Sequence, residues 1–194
     1  MQHNALIYAL YQIGVIKFEE SESHIELDLR KIISYPQILR SVSSAIWQKI
    51  YTRPMEAICG VAYTAIPIAT CMSLQHDIPL ILCRHESSNM DSLQRIEGKY
   101  TSEQHCIIIQ DVMNTGQSVI ETAAKLQEVG VIVKDVAVLI DRQQGGKENL
   151  EKEHYMVHAV FTVQEVLRQM LHSNLLIPTH RSIVTGLMEE FNKK

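Results

Sequence analysis

The stretch that decides the fold expected for this chain reads Cys106-Ile-Ile-Ile-Gln-Asp-Val-Met-Asn-Thr-Gly-Gln-Ser118. Its first four residues are apolar and mostly β-branched, without polar alternation, which is typical of a strand buried on both faces of a parallel sheet. We expect that strand to end at Gln110 and Asp111 and a short turn to follow. Ser118 and Glu121 then match a capping box, so the sequence predicts a helix that begins at Ser118.

A strand, a tight turn and a helix N-terminus in this order can hold an anion. The first N–H groups of a helix lack intrahelical partners, and the helix dipole is positive at that end. We expect the hydroxyls of Thr115 and Ser118 to converge on the same phosphate, with Asp111 within reach of the sugar that carries it. An ordinary turn without a ligand would use similar residues, so this stretch alone leaves both interpretations open.

Length and composition favour a compact protein that handles small molecules. The chain has 194 residues, of which 46% are hydrophobic and 21% charged. These values suit one globular domain. A net charge of -4 gives no electrostatic case for binding nucleic acid or an anionic membrane. No apolar run approaches the roughly 20 residues of a membrane span, and a signal peptide is not recognisable, so we expect a cytoplasmic protein.

The cysteines and histidines do not predict a metal site. Cysteines stand at positions 59, 71, 83 and 106, without a Cys-x-x-Cys spacing. We therefore expect buried reduced thiols rather than disulfides or a zinc site. His154 and His158 flank a predicted strand in which four residues span about 13 Å, which is too far for both to bind one metal.

Strands and helices alternate along most of the chain. Strands are predicted at residues 25–30, 57–61, 79–83, 106–111, 135–141 and 155–161. Ser34 and Gln37 form a second capping box and Thr162 and Glu165 a third, each before a helical stripe. Residues 84–100 are predicted to form a long polar connection, and residues 142–146 a loop. This order predicts an α/β fold with a mostly parallel sheet and a ligand at the carboxyl ends of its strands.

The turn after the central strand resembles the signature of the type I phosphoribosyltransferases. That signature has two acidic residues, two variable residues, then Thr, a second small residue, Gly and a small hydroxyl residue. In the family the turn holds the 5′-phosphate of phosphoribosyl pyrophosphate, and the acids face the ribose hydroxyls. Here Gln110 replaces the first acid and Asn114 the first Thr.

Other stretches are similar to orotate phosphoribosyltransferases, particularly the form found as the first domain of eukaryotic UMP synthase. Residues 25–34 resemble the Ile-Asp-Leu-Arg segment of that form, residues 59–70 its pyrophosphate loop and helix, and residues 141–146 its Asp-Arg-Glu-Gln-Gly-Gly loop. The resemblance runs from about residue 10 to residue 171, with the elements in the family's order.

The resemblance implies a fold, a reaction and a set of site residues. The fold would be the type I phosphoribosyltransferase fold with a small N-terminal hood, formed by residues 1–194 as a single domain. The reaction would convert orotate and phosphoribosyl pyrophosphate into orotidine 5′-monophosphate and pyrophosphate, in a homodimer, with Mg²⁺ carried by the pyrophosphate substrate. Phosphoribosyl pyrophosphate would be bound by Tyr63, Thr64, Asp111, Asn114, Thr115, Gly116, Gln117 and Ser118. The base would contact Asn114 and Arg142, and the catalytic residues would be Asp111, Arg84 and His85.

Departures from the family concern the residues that would meet the base and the leaving group. The family's loop Arg-Lys-Glu-x-Lys-Asp-(Tyr/His)-Gly here reads Arg84-His-Glu-Ser-Ser-Asn-Met-Asp91, and an acidic run at 19–24 replaces its Lys-Ser-Gly turn. We therefore expect impaired turnover. The alternatives are a non-catalytic homologue that binds a nucleotide, phosphate or partner protein, and a transferase for another base. Arg142 would either face a carboxylate of the base or pair with Asp141 or glutamates at the surface.

Overall fold

Helices and strands alternate in the computed structural model of the chain, which describes residues 3–19, 24–61, 63–84 and 96–192. The first half contains α1 (His3–Gln12), β1 (Ile16–Glu19), β2 (His24–Leu27), a 3₁₀ helix (Leu29–Ser34), α2 (Pro36–Ile50), β3 (Ala57–Gly60), α3 (Ala65–His76), β4 (Leu80–Cys83) and β5 (Ile96–Glu97). The second half contains β6 (His105–Met113), α4 (Gln117–Glu128), β7 (Ile132–Asp141), α5 (Gly146–Lys152), β8 (Met156–Thr162), α6 (Val163–His172) and α7 (Pro178–Phe191).

One six-stranded sheet is the centre of the fold, with the strand order β5-β4-β3-β6-β7-β8. Neighbouring strands from β4 to β8 are parallel, and only the edge strand β5 is antiparallel to its neighbour. The predicted α/β fold with a mostly parallel sheet is therefore confirmed. None of the helices in the described part of the chain has the length and apolar character needed to cross a membrane.

Helices cover both faces of the sheet, which explains the unbroken apolar run in β6. Ile107 and Ile109 pack in the core under α2, α3 and α6, whereas Cys106 and Ile108 pack in the core under α4 and α5. Successive side chains of a strand point to opposite faces, so a strand covered on both faces needs apolar residues at every position.

A small hood of two antiparallel strands, β1 and β2, precedes the sheet. Phe18 of β1 packs against α1 and α7, with its ring centroid 6.0 Å from that of Tyr11 and 5.7 Å from that of His180. This confirms the predicted N-terminal hood. The predicted strand at 25–30 is shorter than expected, because β2 ends at Leu27 and the chain then enters the 3₁₀ helix.

Two of the three predicted capping boxes are wrong. Helix α4 begins at Gln117 rather than Ser118, with Gly116 as its N-cap, and α2 begins at Pro36 after Tyr35, and neither cap has a side-chain hydrogen bond. A left-handed Gly and a Pro in the first turn start these helices through backbone geometry instead. The third capping box, at Thr162, is confirmed because its side chain and that of Glu165 each accept a backbone N–H of the other residue.

Three predicted boundaries also change. Strand β6 continues beyond Asp111 to Met113, because its last residues pair with the end of β7. The connection at 84–100 contains the short strand β5, which forms the antiparallel edge of the sheet. The loop at 142–146 ends where α5 begins, a helix of 7 residues that is too short to leave a clear apolar period in the sequence.

Candidate functional site

The turn between β6 and α4 leads directly from a strand into a helix N-terminus, as the sequence predicted. Gly116 has φ +81° and ψ 0°, a left-handed conformation that turns the chain directly into the helix. A methyl group at this position would lie 3.0 Å from Cγ of Leu150, so the conformation and the space both require glycine.

A small cavity of about 110 Å³ opens at this turn. It is lined by Gln110, Val112, Met113, Asn114, Thr115, Gly116, Gln117, Ser118 and Val119. Since about 10 to 15 Å³ of such space is enough for one water molecule, the cavity is large enough to hold a phosphate group. The first turn of α4 directs its N–H groups and the positive end of its dipole to such a site.

A neighbouring loop and helix support the phosphate turn. Nδ2 of Asn149 in α5 donates a hydrogen bond to the carbonyl oxygen of Thr115 over 3.1 Å. A methyl group at Gly146 would lie only 2.5 Å from the carbonyl oxygen of Asn114, so this glycine lets the two backbones meet. Sequence reasoning missed Asn149 and the role of Gly146. The paired glycines at 145 and 146 were the one local signal of a close approach.

Asp111 lies on β6 at the inner edge of this site, with 7% of its surface exposed. Burial raises the pKa of Asp111, and the nearby side chain of Thr64, which favours the charged carboxylate, opposes this shift only in part. Thr64 directly precedes α3, in the turn that resembles a pyrophosphate loop. The structure thus brings together two predicted site residues that are 47 positions apart in the chain.

Gln110 stands where the family signature has its first acidic residue, and its amide group points to Asp111. Nε2 donates to Oδ1 of Asp111 over 3.1 Å and to the carbonyl oxygen of Val112 over 2.9 Å. Oε1 is buried and has no hydrogen-bond partner among the described residues. This amide oxygen and the carboxylate of Asp111 are hard oxygen ligands of the kind that Mg²⁺ accepts, provided that phosphate oxygens and water supply the others. In the described ranges, His, Cys, Asp and Glu do not form a group of three or more that would hold a metal by themselves.

Tyr63 and Thr64 differ in their surroundings. The side chain of Thr64 contacts Asp111, whereas Tyr63 is 77% exposed in the turn between β3 and α3. The structure therefore places Thr64 beside Asp111, whereas Tyr63 lies at the surface of the turn.

Arg142 follows β7 and reaches the hood. Its Nη2 donates to the carbonyl oxygen of Ile25 over 3.2 Å, while Oδ1 of Asp141 accepts the backbone N–H of Gln143 over 2.8 Å. Arg142 and Asp141 thus make these two contacts instead of the direct ion pair that the sequence left open. Arg142 lines a cavity of about 200 Å³ together with His24, Ile25, Gln144, Val163, Leu187, Glu190 and Phe191.

The residues expected to contact the base lie in separate cavities of the described structure. Asn114 lines the phosphate cavity, and Arg142 lines the larger cavity between the hood and α7. Glu190 adds a carboxylate to the second cavity, opposite in charge to the guanidinium of Arg142.

Arg84, at the end of β4, forms an ion pair with Glu97 of β5. Its guanidinium is therefore already engaged by a carboxylate from the sheet edge. Sequence reasoning missed Glu97, because no local pattern connects it to a residue 13 positions earlier. His85, the other predicted catalytic residue of this segment, lies outside the described residues, as does most of the acidic run at 19–24.

Comparisons with known proteins agree with this fold. Residues 30–168 match the family model of the phosphoribosyl transferase domain. The chain is 33% identical to orotate phosphoribosyltransferase of Chlamydia felis over 188 residues, which cover 93% of this chain and 91% of that protein. It is 37% identical to uridine 5′-monophosphate synthase of Bos taurus over 171 residues, covering 84% of this chain and 36% of that longer protein.

Solved structures show the same architecture. UMP synthase of Leishmania donovani superposes with a TM-score of 0.86 at 28% identity, over 98% of this chain and 43% of that chain. Orotate phosphoribosyltransferase of Mycobacterium tuberculosis in complex with phosphoribosyl pyrophosphate gives a TM-score of 0.70 at 21% identity, over 84% of this chain and 98% of that chain. The chain belongs to the type I phosphoribosyltransferase family, as an orotate phosphoribosyltransferase-like protein related to the corresponding domain of UMP synthase.

Proposed function

We propose that this protein binds phosphoribosyl pyrophosphate and transfers its phosphoribosyl group to orotate, with a turnover that is impaired relative to the family. The observation that carries the proposal is the cavity at residues 114–118, which has room for a phosphate group, next to Asp111 and the nearby side chain of Thr64. In this proposal residues 1–194 form one phosphoribosyltransferase domain that takes part in pyrimidine nucleotide synthesis.

Each part of the site has a role in binding the sugar phosphate. The turn from Asn114 to Ser118 holds the 5′-phosphate through its backbone N–H groups and hydroxyls. Asp111 accepts a ribose hydroxyl, and Thr64 and Tyr63 receive the pyrophosphate. Gln110 and Asp111 would offer oxygen atoms to Mg²⁺ carried by the pyrophosphate, and the ion would supply positive charge at that place.

Binding accelerates the reaction only where the contacts strengthen in the transition state. As the ribose–pyrophosphate bond breaks, positive charge develops on the ribose and negative charge on the leaving group. Asp111 favours the first change. The second needs cations over the pyrophosphate, and each such donor is typically worth about 3 kcal/mol, or roughly 10² to 10³ in rate.

The leaving-group side supports the proposal of impaired turnover. Arg84 is held by Glu97, and the two lysines of the family loop are replaced by His85 and Ser88. His85 can supply a partial charge near neutral pH, whereas the hydroxyl of Ser88 supplies none. The site keeps the contacts that bind a phosphate and loses those that stabilise a departing pyrophosphate.

The same observation favours a second candidate function, a non-catalytic homologue that binds a nucleotide, phosphate or partner protein in this pocket. The acidic run at 19–24 and the carboxylate of Glu190 near Arg142 argue in addition for weak binding of an anionic base. Calorimetry with orotate in the presence of pyrophosphate measures that point, and micromolar affinity contradicts it.

A homodimer is part of the proposal. Helix α3 carries apolar residues on its outer as well as its inner side, and Leu74 is 79% exposed there. Tyr63, at the rim of the site, is 77% exposed and precedes the same helix. A second copy that covered this surface would bury both side chains and bring its own residues near the pyrophosphate side. Sedimentation of the protein, with and without a Leu74→Glu substitution, tests the dimer.

One assay separates the two candidate functions. Orotate consumption is followed at high protein concentration with Mg²⁺ and phosphoribosyl pyrophosphate, and the melting temperature is measured with the same ligands. We expect a melting shift together with slow but measurable turnover. A melting shift without any turnover identifies the binding homologue, and no shift at millimolar phosphoribosyl pyrophosphate or nucleotide rejects both. Turnover within the usual range of about 1 to 10³ per second rejects the impairment.

A further inference from the structure

Two cysteines from adjacent parallel strands face each other beside the proposed site. Sγ of Cys59 on β3 lies 3.8 Å from Sγ of Cys83 at the end of β4. Cys59 is fully buried, whereas Cys83 is partly exposed. The pair therefore combines one thiol that reagents can reach with a second thiol directly behind it.

The two sulfur atoms have different electrostatic surroundings. The S–H of Cys59 donates to the sulfur of Cys83, and this contact, together with the charge of Lys125 on α4, lowers the pKa of Cys83 against the opposing effect of burial. The contact with Cys83, followed by burial, raises the pKa of Cys59 well above its usual value. Of the two thiols, Cys83 is thus the one that loses its proton more readily.

The other cysteines lack this combination. Cys106 is buried on β6, and burial raises the pKa of its thiol. Cys71, on α3, is also partly exposed, but its Sγ contacts the amide oxygen Oε1 of Gln75 at 3.6 Å and not a second thiol. Cys71 is therefore an internal control for a partly exposed thiol.

We propose that Cys83 is a reactive thiol and a modification site for peroxides and soft electrophiles, with Cys59 as its resolving partner. In the first step the thiolate of Cys83 attacks one oxygen of hydrogen peroxide, the O–O bond breaks, and hydroxide leaves, so that the sulfur is oxidised to a sulfenic acid. In the second step the sulfur of Cys59 attacks that sulfur, an S–S bond forms, and the thiol proton and the hydroxyl group leave as water. Peroxide is the oxidant, and two water molecules are the reduced product after the hydroxide takes up a proton.

The position of the pair gives this chemistry a consequence for the fold. Cys83 directly precedes Arg84, and Cys59 directly precedes Gly60 and the turn that leads to Tyr63 and Thr64. A disulfide requires the sulfur atoms to close from 3.8 Å to about 2.0 Å, which draws the ends of β3 and β4 together. The inference concerns thiol chemistry of the free protein and stands whether or not the proposed transferase function is correct.

The first experiment compares alkylation rates within the folded protein. The whole chain is treated with substoichiometric iodoacetamide at neutral pH, and peptide mapping gives the rate at each cysteine. We expect Cys83 to react faster than Cys71 and Cys106 to remain protected. Cys59→Ala removes the S–H donor and should slow Cys83 by about threefold or more, whereas Cys59→Ser keeps a donor and should slow it less. In denaturant the differences between the cysteines should disappear.

The second experiment tests the resolving step with hydrogen peroxide. We expect a peptide containing Cys59 joined to Cys83, a mass lower by two hydrogens, and recovery with a reducing agent. In the Cys59→Ser variant the sulfenic acid has no resolving thiol, so dimedone should trap it at Cys83. Labelling of Cys71 at least as fast as Cys83 overturns the reactive thiol. A peroxide reaction that gives neither the linked peptide in the parent nor the trapped Cys83 in the variant overturns the resolving pair.

Discussion

Nε2 of Gln110 donates a hydrogen bond to Oδ1 of Asp111 over 3.1 Å, so the amide that replaces an acidic residue in this family also orients the acid that remains. A second carboxylate at position 110 would repel Asp111 and leave the carbonyl oxygen of Val112 without the donor it now has. The substitution therefore lowers the negative charge beside Asp111 and supplies a donor to the carbonyl oxygen of Val112. This arrangement offers less negative charge to a metal ion than two carboxylates would.

Asp111 should make stability depend on pH with a defined sign. Burial raises its pKa above the ordinary value of 3.8 in the folded protein. The stability it contributes is therefore fully present below pH 3.8 and is lost as pH rises through the folded pKa. Asp111→Asn cannot ionise, so the free energy of unfolding of the variant should rise relative to the parent between about pH 4 and pH 7. Urea unfolding across this range measures the difference.

Asp28 is the control with the opposite sign. A hydrogen bond from Nε of Arg30, 2.7 Å long, lowers the pKa of this carboxyl. The stability that this carboxylate contributes is present above pH 3.8 and is lost as pH falls through the folded pKa. Asp28→Asn should therefore be less stable than the parent at neutral pH, by a small amount because the pair is exposed. A relative stability of Asp111→Asn that falls with rising pH contradicts the assignment of burial as the main cause.

Gly116→Val should abolish the melting shift caused by phosphoribosyl compounds. A side chain at this position meets Leu150 and the carbonyl oxygen of Gly146, and a φ of +81° is strained for valine. The strain costs about 1 to 3 kcal/mol and displaces the first turn of α4. In the parent, a ligand at about 100 times its Kd adds about 2.7 kcal/mol. The control is Gly186→Ala in α7, where a methyl group meets nothing within 4 Å and should keep the full shift. A full shift in Gly116→Val would place the phosphate elsewhere.

Glu97→Gln should strengthen binding of pyrophosphate. It removes the carboxylate that pairs with Arg84, and both side chains are about half exposed, so stability should change little. The released guanidinium should improve the affinity for Mg²⁺-pyrophosphate by about two- to fivefold, as the energies of exposed pairs suggest. Titration calorimetry measures this, with Glu128→Gln in the last turn of α4 as a variant of equal charge change. An affinity that is unchanged or weaker shows that Arg84 does not face the leaving group.

Lysines at positions 85 and 88 should raise the rate of orotidine 5′-monophosphate formation. Two added cations would give about 10⁴ to 10⁶ if their effects added, and residues that act as a unit give less. We expect His85→Lys with Ser88→Lys to exceed either single substitution, measured as orotate consumption under saturating substrates. If the double variant gives no gain, the impaired turnover is due to Gln110 and the acidic run at 19–24. That result would support the binding homologue.

Asp135→Ala should destabilise the protein without changing the ligand response. Its buried carboxylate contacts Nε of Arg53 at 2.8 Å and Nε2 of His158 at 2.6 Å. Removal leaves both partners without their acid, at a cost of about 3 kcal/mol in unfolding free energy. The control is Glu151→Ala, whose pair with Lys147 is 3.7 Å long and about half exposed, and should cost at most about 0.5 kcal/mol. A loss below about 1 kcal/mol in Asp135→Ala contradicts the network.

Local patterns in the sequence were sufficient for the sheet and for the turn between β6 and α4. Each core strand is an apolar run, and the central one meets a turn whose Gly116 adopts the left-handed conformation that starts α4. These features depend on residues that are close in the sequence. They can therefore be recognised from the spacing of apolar residues or from a turn motif. The capping boxes at Ser34 and Ser118 failed because Pro36 and Gly116 start the same helices by backbone geometry, which a motif count does not weigh.

Contacts between elements were decided only by tertiary structure. Arg84 meets Glu97 because β4 and β5 pair at the sheet edge, Thr64 meets Asp111 because β3 lies beside β6, and Cys59 meets Cys83 across two parallel strands. Each pair joins residues at least 13 positions apart, and its geometry follows from strand order and register. The strands of the sheet and the turn between β6 and α4 were therefore determined by the sequence itself. The partner of each charge and thiol was determined by packing, because distance along the chain carries no information about which strands become neighbours.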